Sequence, residues 1–276
     1  MSSMKGLRFL QVDVFTDRPF LGNPVAVVIG GETLKTEAMQ RIACWTNLSE
    51  TTFLLPSKVA DYRLRIFTPR RELPFAGHPT IGSAHAALEA RFVARKKKLT
   101  QECGAGIIEL AVRKEGIFLT APQARISPVA GALPYATNLR KVDVGPVWII
   151  GEVASASALA ALAPDMAELA AFTDRERATG VTLFAPSGEK ASAIHVRSFA
   201  PAQGINEDPV CGSGNISVAA YLRFLRKLDA VGNSYVARQG MQLGRDGSVS
   251  IRVSDGAIEI GGRCVTCVEG SLTVPT

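Results

Sequence analysis

A chain of 276 residues is long enough for one large domain or two of average size. Its hydrophobic fraction of 47% and charged fraction of 20% exclude an intrinsically disordered protein. The net charge of +6 is mild, and the densest basic run, Arg95-Lys96-Lys97-Lys98, lacks the interleaved aromatic residues of a surface that binds single-stranded nucleic acid. We therefore expect no nucleic-acid partner and interpret the run as a solvated helix end whose charge complements the helix dipole.

The chain has no feature of a secreted or membrane protein. Its first fifteen residues lack a long apolar core followed by a small-residue cleavage site, so no signal peptide is expected. All apolar runs are shorter than the ~18 residues of a membrane span. Five cysteines without regular spacing argue for a reducing compartment, so we expect a cytoplasmic protein. Cys264 and Cys267 have CxxC spacing, but they have no second ligand pair and lie in a strand-like segment, so no metal is expected.

The predicted elements follow one another in a mixed α and β order. Alternating or apolar segments predict strands at residues 8–15, 51–55, 62–68, 142–150, 181–185, 194–200 and 247–253. Helical periodicity predicts helices at residues 36–46, 83–95, 156–171 and 215–228. The alternation favours mainly antiparallel strands, and the whole pattern predicts an α+β fold.

The same order of features occurs twice along the chain. Each copy has a strand, a Pro-Ser turn, a second strand ending in Phe-x-Pro, a glycine-containing turn and a helix of small residues. The copies are offset by about 130 to 135 residues, as from Thr51 to Val181 and from Gly77 to Gly212. The repeat predicts two similar α+β halves, residues 1–134 and 135–276.

Each predicted half has glycines at the start of a helix, in PFAGHPTIG and in DPVCGSGN. Unpaired backbone N–H groups at a helix start attract a carboxylate or phosphate, and glycine lets the anion approach closely. Either motif alone fits a tight helix entry equally well. Their presence in both halves favours one cleft that binds a small anionic substrate through Gly77, Gly212, Ser213 and Gly214. Neither motif is a nucleotide-binding loop, since no Gly-Lys-Ser/Thr or well-placed GxGxxG is present.

Four motifs together resemble the PhzF (phenazine-biosynthesis-like) family. They are NPVAVV from Asn23, NLSETTF from Asn47, GHPTIG from Gly77 and EDPVxGS from Glu207. The resemblance extends from about Leu7 to Gly270. It implies the diaminopimelate-epimerase-like fold, in which two halves each curl a mostly antiparallel sheet around a central helix, and it implies a homodimer.

Glu50 is the candidate general acid/base. It precedes an apolar strand, where loss of solvent would raise its pKa toward the range for giving and taking protons. By itself it also fits a surface acid at a strand edge. The resemblance implies that this glutamate moves a proton between carbons of the substrate.

Two further catalytic candidates and one binding candidate accompany Glu50. His78 fits a helix cap or a ligand contact, and the resemblance places it in the pocket. Asp208 fits a helix cap, a group that orients the substrate, or a partner that fixes the tautomer of His78. Ser213 can offer a hydroxyl and an N–H to a carboxylate, and both Asp208 and Ser213 match pocket residues of the family. His85 and His195 are interpreted as structural.

Cys211 leaves two interpretations open. Related epimerases and racemases of this fold use two cysteines, one before the glycine of each turn. Cys211 fills the second position, but Ala76 stands at the first, and PhzF-like proteins often have threonine where Cys211 stands. A thiol at a helix start is expected to have a lowered pKa and to be reactive. The alternative is a small buried residue without a chemical role.

The sequence therefore predicts a PhzF-like isomerase. It would move a proton on a small carboxylate-bearing substrate, such as a cyclic dienyl amino acid, without a metal or organic cofactor. The alternatives are an amino- or hydroxy-acid racemase that uses Cys211 with Glu50, and a non-catalytic protein that binds a small molecule.

Overall fold

The structure of the protein is a computed structural model that describes residues 4–275. By its spatial contacts the chain forms two compact units. One runs through Leu119 and includes the C-terminal segment from Gly261, and the other extends from Thr120 to Ile260. The predicted halves, residues 1–134 and 135–276, follow the sequence repeat and stay a prediction.

The described residues form strands and helices in a mixed order. The strands are β1 (Met4–Val14), β2 (Asn23–Ile29), β3 (Thr51–Leu55), β4 (Tyr62–Phe67), β5 (Glu72–Leu73), β6 (Lys98–Cys103), β7 (Gly106–Arg113), β8 (Gly116–Thr120), β9 (Arg125–Pro128), β10 (Thr137–Asp143), β11 (Val147–Glu152), β12 (Gly180–Pro186), β13 (Ile194–Ala200), β14 (Ile205–Asp208), β15 (Ser234–Gln239), β16 (Gly247–Val253), β17 (Ile258–Gly262) and β18 (Cys264–Pro275). The α-helices are α1 (Thr36–Thr46), α2 (Gly77–Glu89), α3 (Ala156–Ala161), α4 (Met166–Arg175) and α5 (Gly212–Phe224). No helix among residues 4–275 is long and apolar enough to cross a membrane.

In the first unit, antiparallel and parallel strand pairs alternate. Strand β1 pairs antiparallel with β2, β2 parallel with β3, β3 antiparallel with β4, β4 parallel with β6, and β6 antiparallel with β7. The two parallel pairs need crossover connections, which α1 and α2 provide. The C-terminal strand β18 pairs antiparallel with β1.

The second unit has the same order of pairing. Strand β10 pairs antiparallel with β11, β11 parallel with β12, β12 antiparallel with β13, β13 parallel with β15, and β15 antiparallel with β16. Its crossover connections contain α3 with α4, and α5. The repeat in the sequence is therefore matched by a repeat in strand pairing, and the α+β prediction is confirmed.

Helices α2 and α5 are buried along most of their length, unlike a surface helix with one apolar stripe. In α2 the buried stretch from His78 to Ala84 includes Gly82 and Ser83, whose small side chains let strands pack closely on several sides. A Cβ at Gly82 would lie 2.5 Å from Val25 Cγ1 and 2.8 Å from Val14 Cγ2. The small residues of these helices are therefore explained by close packing against strands.

Three predicted helices were wrong in extent. The helix predicted at residues 215–228 begins at Gly212 and ends at Phe224. The segment at residues 156–171 forms two helices, because Pro164 interrupts it and Asp165 caps α4 by accepting hydrogen bonds from the N–H groups of Ala167 and Glu168. The helix predicted at residues 83–95 ends at Glu89, and Arg91 adopts a left-handed conformation with φ of 56°.

The basic run at residues 95–98 is therefore not a helix end. It is exposed and leads into β6, well beyond the last turn of α2. Two of its lysines form ion pairs instead, Lys96 with Asp61 at 2.6 Å and Lys98 with Glu109 at 2.6 Å. The prediction that these charges complement the dipole of a helix was wrong, whereas the prediction that the run is exposed to solvent is confirmed.

Candidate active site

Glu50 lies in the first unit, directly before β3. Its carbonyl accepts a hydrogen bond from the N–H of Ala26 at 3.3 Å, so its backbone begins the parallel pairing of β2 with β3. Its side chain is 15% exposed. The strand that follows is fully buried. The fold thus holds a carboxylate at the boundary between solvent and core.

His78 is the second residue of α2, and its side chain is 9% exposed. Its Nε2 atom lies 3.3 Å from Glu50 Oε2. The imidazole also hydrogen bonds to the backbone of Pro24. Because proline has no N–H, this partner is the Pro24 carbonyl, and the ring donates to it through Nδ1.

These contacts determine where a proton can be held between Glu50 and His78. Burial lowers the pKa of His78 to about 4, against a smaller upward effect of the Pro24 hydrogen bond, so the ring is neutral near pH 7. With its single proton on Nδ1, the Nε2 lone pair faces Glu50 Oε2. Two facing lone pairs repel, so a proton placed between these atoms would stabilise the contact. The pair is arranged to hold and transfer one proton.

Helix α2 begins without a side-chain cap. Ala76 is its N-cap residue and has no capping group, and Pro79 has no N–H to offer. A Cβ added at Gly77 would meet no atom within 4 Å. The helix start therefore has open space beside Gly77, as an anion-binding turn requires.

In the second unit, the turn before α5 is fixed by Gln239 and Asn215. Gln239 accepts a hydrogen bond from the Cys211 N–H at 3.1 Å and donates to the Asp208 carbonyl at 2.9 Å. Asn215 donates to the Cys211 carbonyl at 2.9 Å. These two amides tie the turn to β15 and to the first turn of α5. Asn215 ends the DPVCGSGN motif, whereas no sequence motif contained Gln239.

Asp208 ends β14 and lies beside Cys211. Its Oδ1 accepts a hydrogen bond from the Val210 N–H at 3.0 Å. Burial raises the pKa of Asp208 to about 6, and the charge of Glu207 adds to this, while the hydrogen bonds from Val210 and from the Cys211 thiol act in the opposite direction. Asp208 is therefore a carboxyl group that titrates close to neutrality.

Cys211 is the N-cap residue of α5, and its sulfur accepts a hydrogen bond from the Gly214 N–H at 3.3 Å. Burial, and then the charge of Asp208, raise the pKa of Cys211 well above its usual value. The expectation of a lowered thiol pKa was wrong, because loss of solvent outweighs the hydrogen bonds at the helix start. Cys211 is thus a protonated thiol near pH 7.

Ser213 is held by a residue that the sequence did not indicate. Its Oγ accepts a hydrogen bond from the Trp148 indole N–H at 2.9 Å and lies 3.6 Å from Cys211 Sγ. Trp148 is buried in β11, and a buried indole N–H needs an acceptor, which is the one signal that pointed to a polar partner.

Gly214 is required by packing. A Cβ there would lie 2.7 Å from Thr182 Oγ1 and 2.8 Å from Ser198 Oγ, and its N–H already donates to Cys211. Gly212 is the buried first residue of α5. Binding of a substrate by Gly212, Ser213 and Gly214 stays a prediction.

The two units differ at the position of Glu50. Glu50 directly precedes Thr51 in β3, and Gly180 directly precedes Val181, the equivalent residue of the repeat. A Cβ at Gly180 would lie 2.7 Å from Trp148 Cζ3 and would contact the carbonyl oxygen of Phe199. The second unit therefore has no room for a carboxylate where the first has Glu50.

The other two histidines contact carboxylates, and the CxxC cysteines lie in a strand. His85 Nε2 lies 3.4 Å from Glu89 in α2, and His195 Nε2 lies 3.3 Å from Glu189, so both contact carboxylates as structural residues do. Cys264 and Cys267 lie in β18. Among residues 4–275, no group of three or more His, Cys, Asp or Glu side chains is placed to hold a metal ion.

Comparison with known proteins identifies the family. A family model described as "Phenazine biosynthesis-like protein" matches residues 12–270. The chain belongs to this family, PhzF.

Curated relatives align along nearly the whole chain. The trans-2,3-dihydro-3-hydroxyanthranilate isomerase of Pseudomonas aeruginosa is 33% identical over 283 residues, which cover 95% of this chain and 98% of the relative. Antisense-enhancing sequence 1 of Schizosaccharomyces pombe is 38% identical over 290 residues, covering 95% and 97%. The predictions of the family and of an isomerase are confirmed.

Solved structures show the same fold. The PhzF-family protein of Bacillus anthracis superposes with a TM-score of 0.86 at 24% identity, covering 98% of this chain and all of that one. A hydroxyproline epimerase of Agrobacterium vitis superposes with a TM-score of 0.68 at 15% identity, covering 100% and 95%. The fold is thus shared between PhzF proteins and epimerases, which leaves the chemistry to be argued from the residues.

Proposed function

We propose that this chain is a cofactor-independent isomerase that moves a proton on a small carboxylate-bearing substrate, with Glu50 as the general acid/base. The observation that carries the proposal is the contact of 3.3 Å between Glu50 and His78 in the first unit, together with Gly180 at the equivalent position of the second. One carboxylate that gives and takes a proton suits transfer between two carbons of one substrate.

In the proposed reaction, one proton moves from Glu50 to His78 and back, and a second proton moves between two carbons of the substrate through Glu50. His78 Nε2 accepts the shared proton, which leaves Glu50 as a carboxylate base. Glu50 then removes a proton from an activated C–H, and the electron pair is delocalised into an adjacent unsaturated system. Glu50 returns this proton to another carbon, and the shared proton moves back from His78, so that the enzyme ends as it began.

The substrate is proposed to be a cyclic dienyl amino acid. This class supplies the unsaturated system and a carboxylate for the open helix start beside Gly77. The sequence-based prediction that Asp208 and Ser213 also contact the substrate is kept as part of the proposal. The homodimer implied by the family resemblance is likewise kept as a proposal.

A racemase that uses Cys211 is the competing function. Two observations weigh against it: burial raises the pKa of Cys211, which disfavours a thiolate base, and Ala76 occupies the place of a second thiol. A racemase of this type would need a thiolate that the structure disfavours.

Conversion of trans-2,3-dihydro-3-hydroxyanthranilate in deuterium oxide, followed by NMR, tests the proposal. We expect an isomer with a shifted double bond whose receiving carbon carries mainly hydrogen from the substrate, because Glu50 returns the proton that it removed. Deuterium at the α-carbon of a chiral amino or hydroxy acid, with inversion of configuration and no shift of a double bond, would support the racemase instead. Binding of the probe without any conversion would support a non-catalytic protein.

A further inference from the structure

Trp148 fixes the direction of the first hydrogen bond in a group of polar side chains at the start of α5. The indole of Trp148 can donate but not accept, so Ser213 Oγ is the acceptor of their bond of 2.9 Å. The proton of Ser213 must then point elsewhere. Cys211 Sγ lies 3.6 Å from Ser213 Oγ, within reach of this proton.

The Cys211 thiol in turn can donate a hydrogen bond to Asp208. Its hydrogen bond lowers the pKa of Asp208, as a thiol that donates to a carboxylate does. The sulfur accepts from the Gly214 N–H at 3.3 Å, and the Ser198 hydroxyl also hydrogen bonds with the thiol. A carboxylate is a stronger acceptor than a hydroxyl, which favours Asp208 as the acceptor of the S–H. The order that satisfies all of these contacts together is Trp148 N–H to Ser213, Ser213 O–H to Cys211, and Cys211 S–H to the Asp208 carboxylate.

The equivalent place in the first unit has a related arrangement. His78 and Ser213 are each the second residue of a buried 13-residue helix that begins with glycine. Each is held by a residue near the start of a strand, His78 by the Pro24 carbonyl of β2 and Ser213 by the Trp148 indole of β11. In both units, a strand residue fixes the hydrogen-bond direction of the second helix residue.

We propose that Trp148 is a positioning residue, which acts through Ser213 and Cys211 to stabilise the Asp208 carboxylate. This inference rests on the proposed function only in taking Asp208 and Ser213 as residues that contact the substrate. Trp148 prevents the Ser213 hydroxyl from turning its proton away from the thiol. The thiol is thereby kept as a donor to Asp208, which remains available as an anion to the substrate.

Other charges near Asp208 act alongside these bonds. Glu207 precedes it in β14 and is paired with Arg197 of β13 through two hydrogen bonds of 2.8 Å. The Val210 N–H donates to Asp208 directly. None of the substitutions below changes these residues, so a change in the titration of Asp208 reports on the proposed order of hydrogen bonds.

Titration of Asp208 by NMR, with 13C-labelled aspartate carboxyls and Asp208→Asn for assignment, tests the proposal without a substrate. Cys211→Ala removes the donor to Asp208 and should raise its pKa by about one unit. Cys211→Ser restores a donor and should keep the pKa within a few tenths of wild type. Trp148→Phe should raise it by about half a unit, because the Ser213 proton is no longer directed.

Tyr235→Phe is the matched control. It removes a buried phenol oxygen from the same unit and should leave the pKa of Asp208 unchanged. An unchanged pKa in folded Trp148→Phe would overturn the role of Trp148. If Trp148→Phe does not fold, Cys211→Ala tests the bond from the thiol to Asp208. An unchanged pKa of Asp208 in that variant would overturn the proposed order of hydrogen bonds, and the predicted rise would support it.

Activity on trans-2,3-dihydro-3-hydroxyanthranilate provides the second readout. The acidic limb of the pH profile of kcat/KM should shift upward in Trp148→Phe by the same amount as the NMR pKa. A limb that stays in place while the NMR pKa moves would overturn the positioning role. A wild-type enzyme that does not convert this probe would count against the proposed function, whereas the titration would still decide the order of the hydrogen bonds.

Discussion

His78 Nε2 and Glu50 Oε2 lie 3.3 Å apart, and the opposite side of the imidazole donates to the Pro24 carbonyl. This arrangement fixes the tautomer of a neutral histidine and turns its lone pair toward the carboxyl group. A general acid/base gains from such a neighbour, because the neighbour can hold the proton while the carboxylate acts. The same feature links the NPVAVV motif to the candidate active site.

The tautomer of His78 can be measured directly. We expect 15N NMR of the three histidines to show His78 protonated on Nδ1 and neutral until the pH falls to about 4, because burial disfavours the charged ring. His78→Gln identifies the signal, and His85 and His195 serve as internal references. A His78 protonated on Nε2, or charged at pH 6, would contradict the proposed proton between Glu50 and His78.

Substitutions at Gly77 and Gly82, both in α2, distinguish a loss of substrate binding from a loss of packing. Gly77→Ala places a methyl group in open space and should leave the free energy of unfolding within about 0.5 kcal/mol of wild type. If a carboxylate binds there, kcat/KM should fall at least about tenfold, or 1.4 kcal/mol of barrier.

Gly82→Ala is the matched control. Its Cβ would collide with Val25 and Val14, so the variant should lose about 1–3 kcal/mol of stability in denaturant unfolding. Unchanged activity in Gly77→Ala would contradict an anion site at this helix start. Wild-type stability in Gly82→Ala would contradict the packing.

The raised pKa of Asp208 predicts an unusual dependence of the free energy of unfolding on pH. Its pKa is about 6 in the folded chain against an ordinary 3.8, so the folded state binds more protons between these pH values and loses stability as the pH rises through them. Asp208→Asn removes this cost. The variant should be more stable than wild type at pH 7, by about 3 kcal/mol.

The gain from Asp208→Asn should shrink as the pH falls and vanish below about pH 4, where Asp208 is protonated in both states. Urea unfolding at several pH values measures this difference. An equal difference at pH 4 and pH 7 would show that the substitution acts through packing or hydrogen bonding rather than through ionisation.

Local patterns predicted much of the fold. Helix α1 was predicted at the observed residues, since its period is regular; in the structure Asn47 ends it in a left-handed conformation. The predicted helix at residues 156–171 failed where Pro164 interrupts a continuous period. The pairing of β18 with β1 was not predicted, because strands more than 250 residues apart in the chain share no local signal.

The sequence motifs identified the main residues of the candidate site but not the residues that hydrogen bond to them. Glu50 and His78 were both identified, and the structure brings them into contact. Their link to Pro24, and the link of Ser213 to Trp148, join strands to helices that are distant in sequence. The raised pKa of Cys211 was missed for the same reason, since burial by distant residues opposes the effect of the nearby helix start.

The most direct test of the central claim compares kcat for Glu50→Gln with kcat for Cys211→Ser, on trans-2,3-dihydro-3-hydroxyanthranilate under identical conditions. Glu50→Gln preserves shape but cannot accept a proton, so we predict a loss of about 10²–10⁴-fold with substrate binding retained. Cys211→Ser should keep kcat within about tenfold of wild type. A Glu50→Gln enzyme with near-normal kcat, or a folded Cys211→Ser enzyme that binds the probe without converting it, would contradict the assignment of Glu50 as the general acid/base.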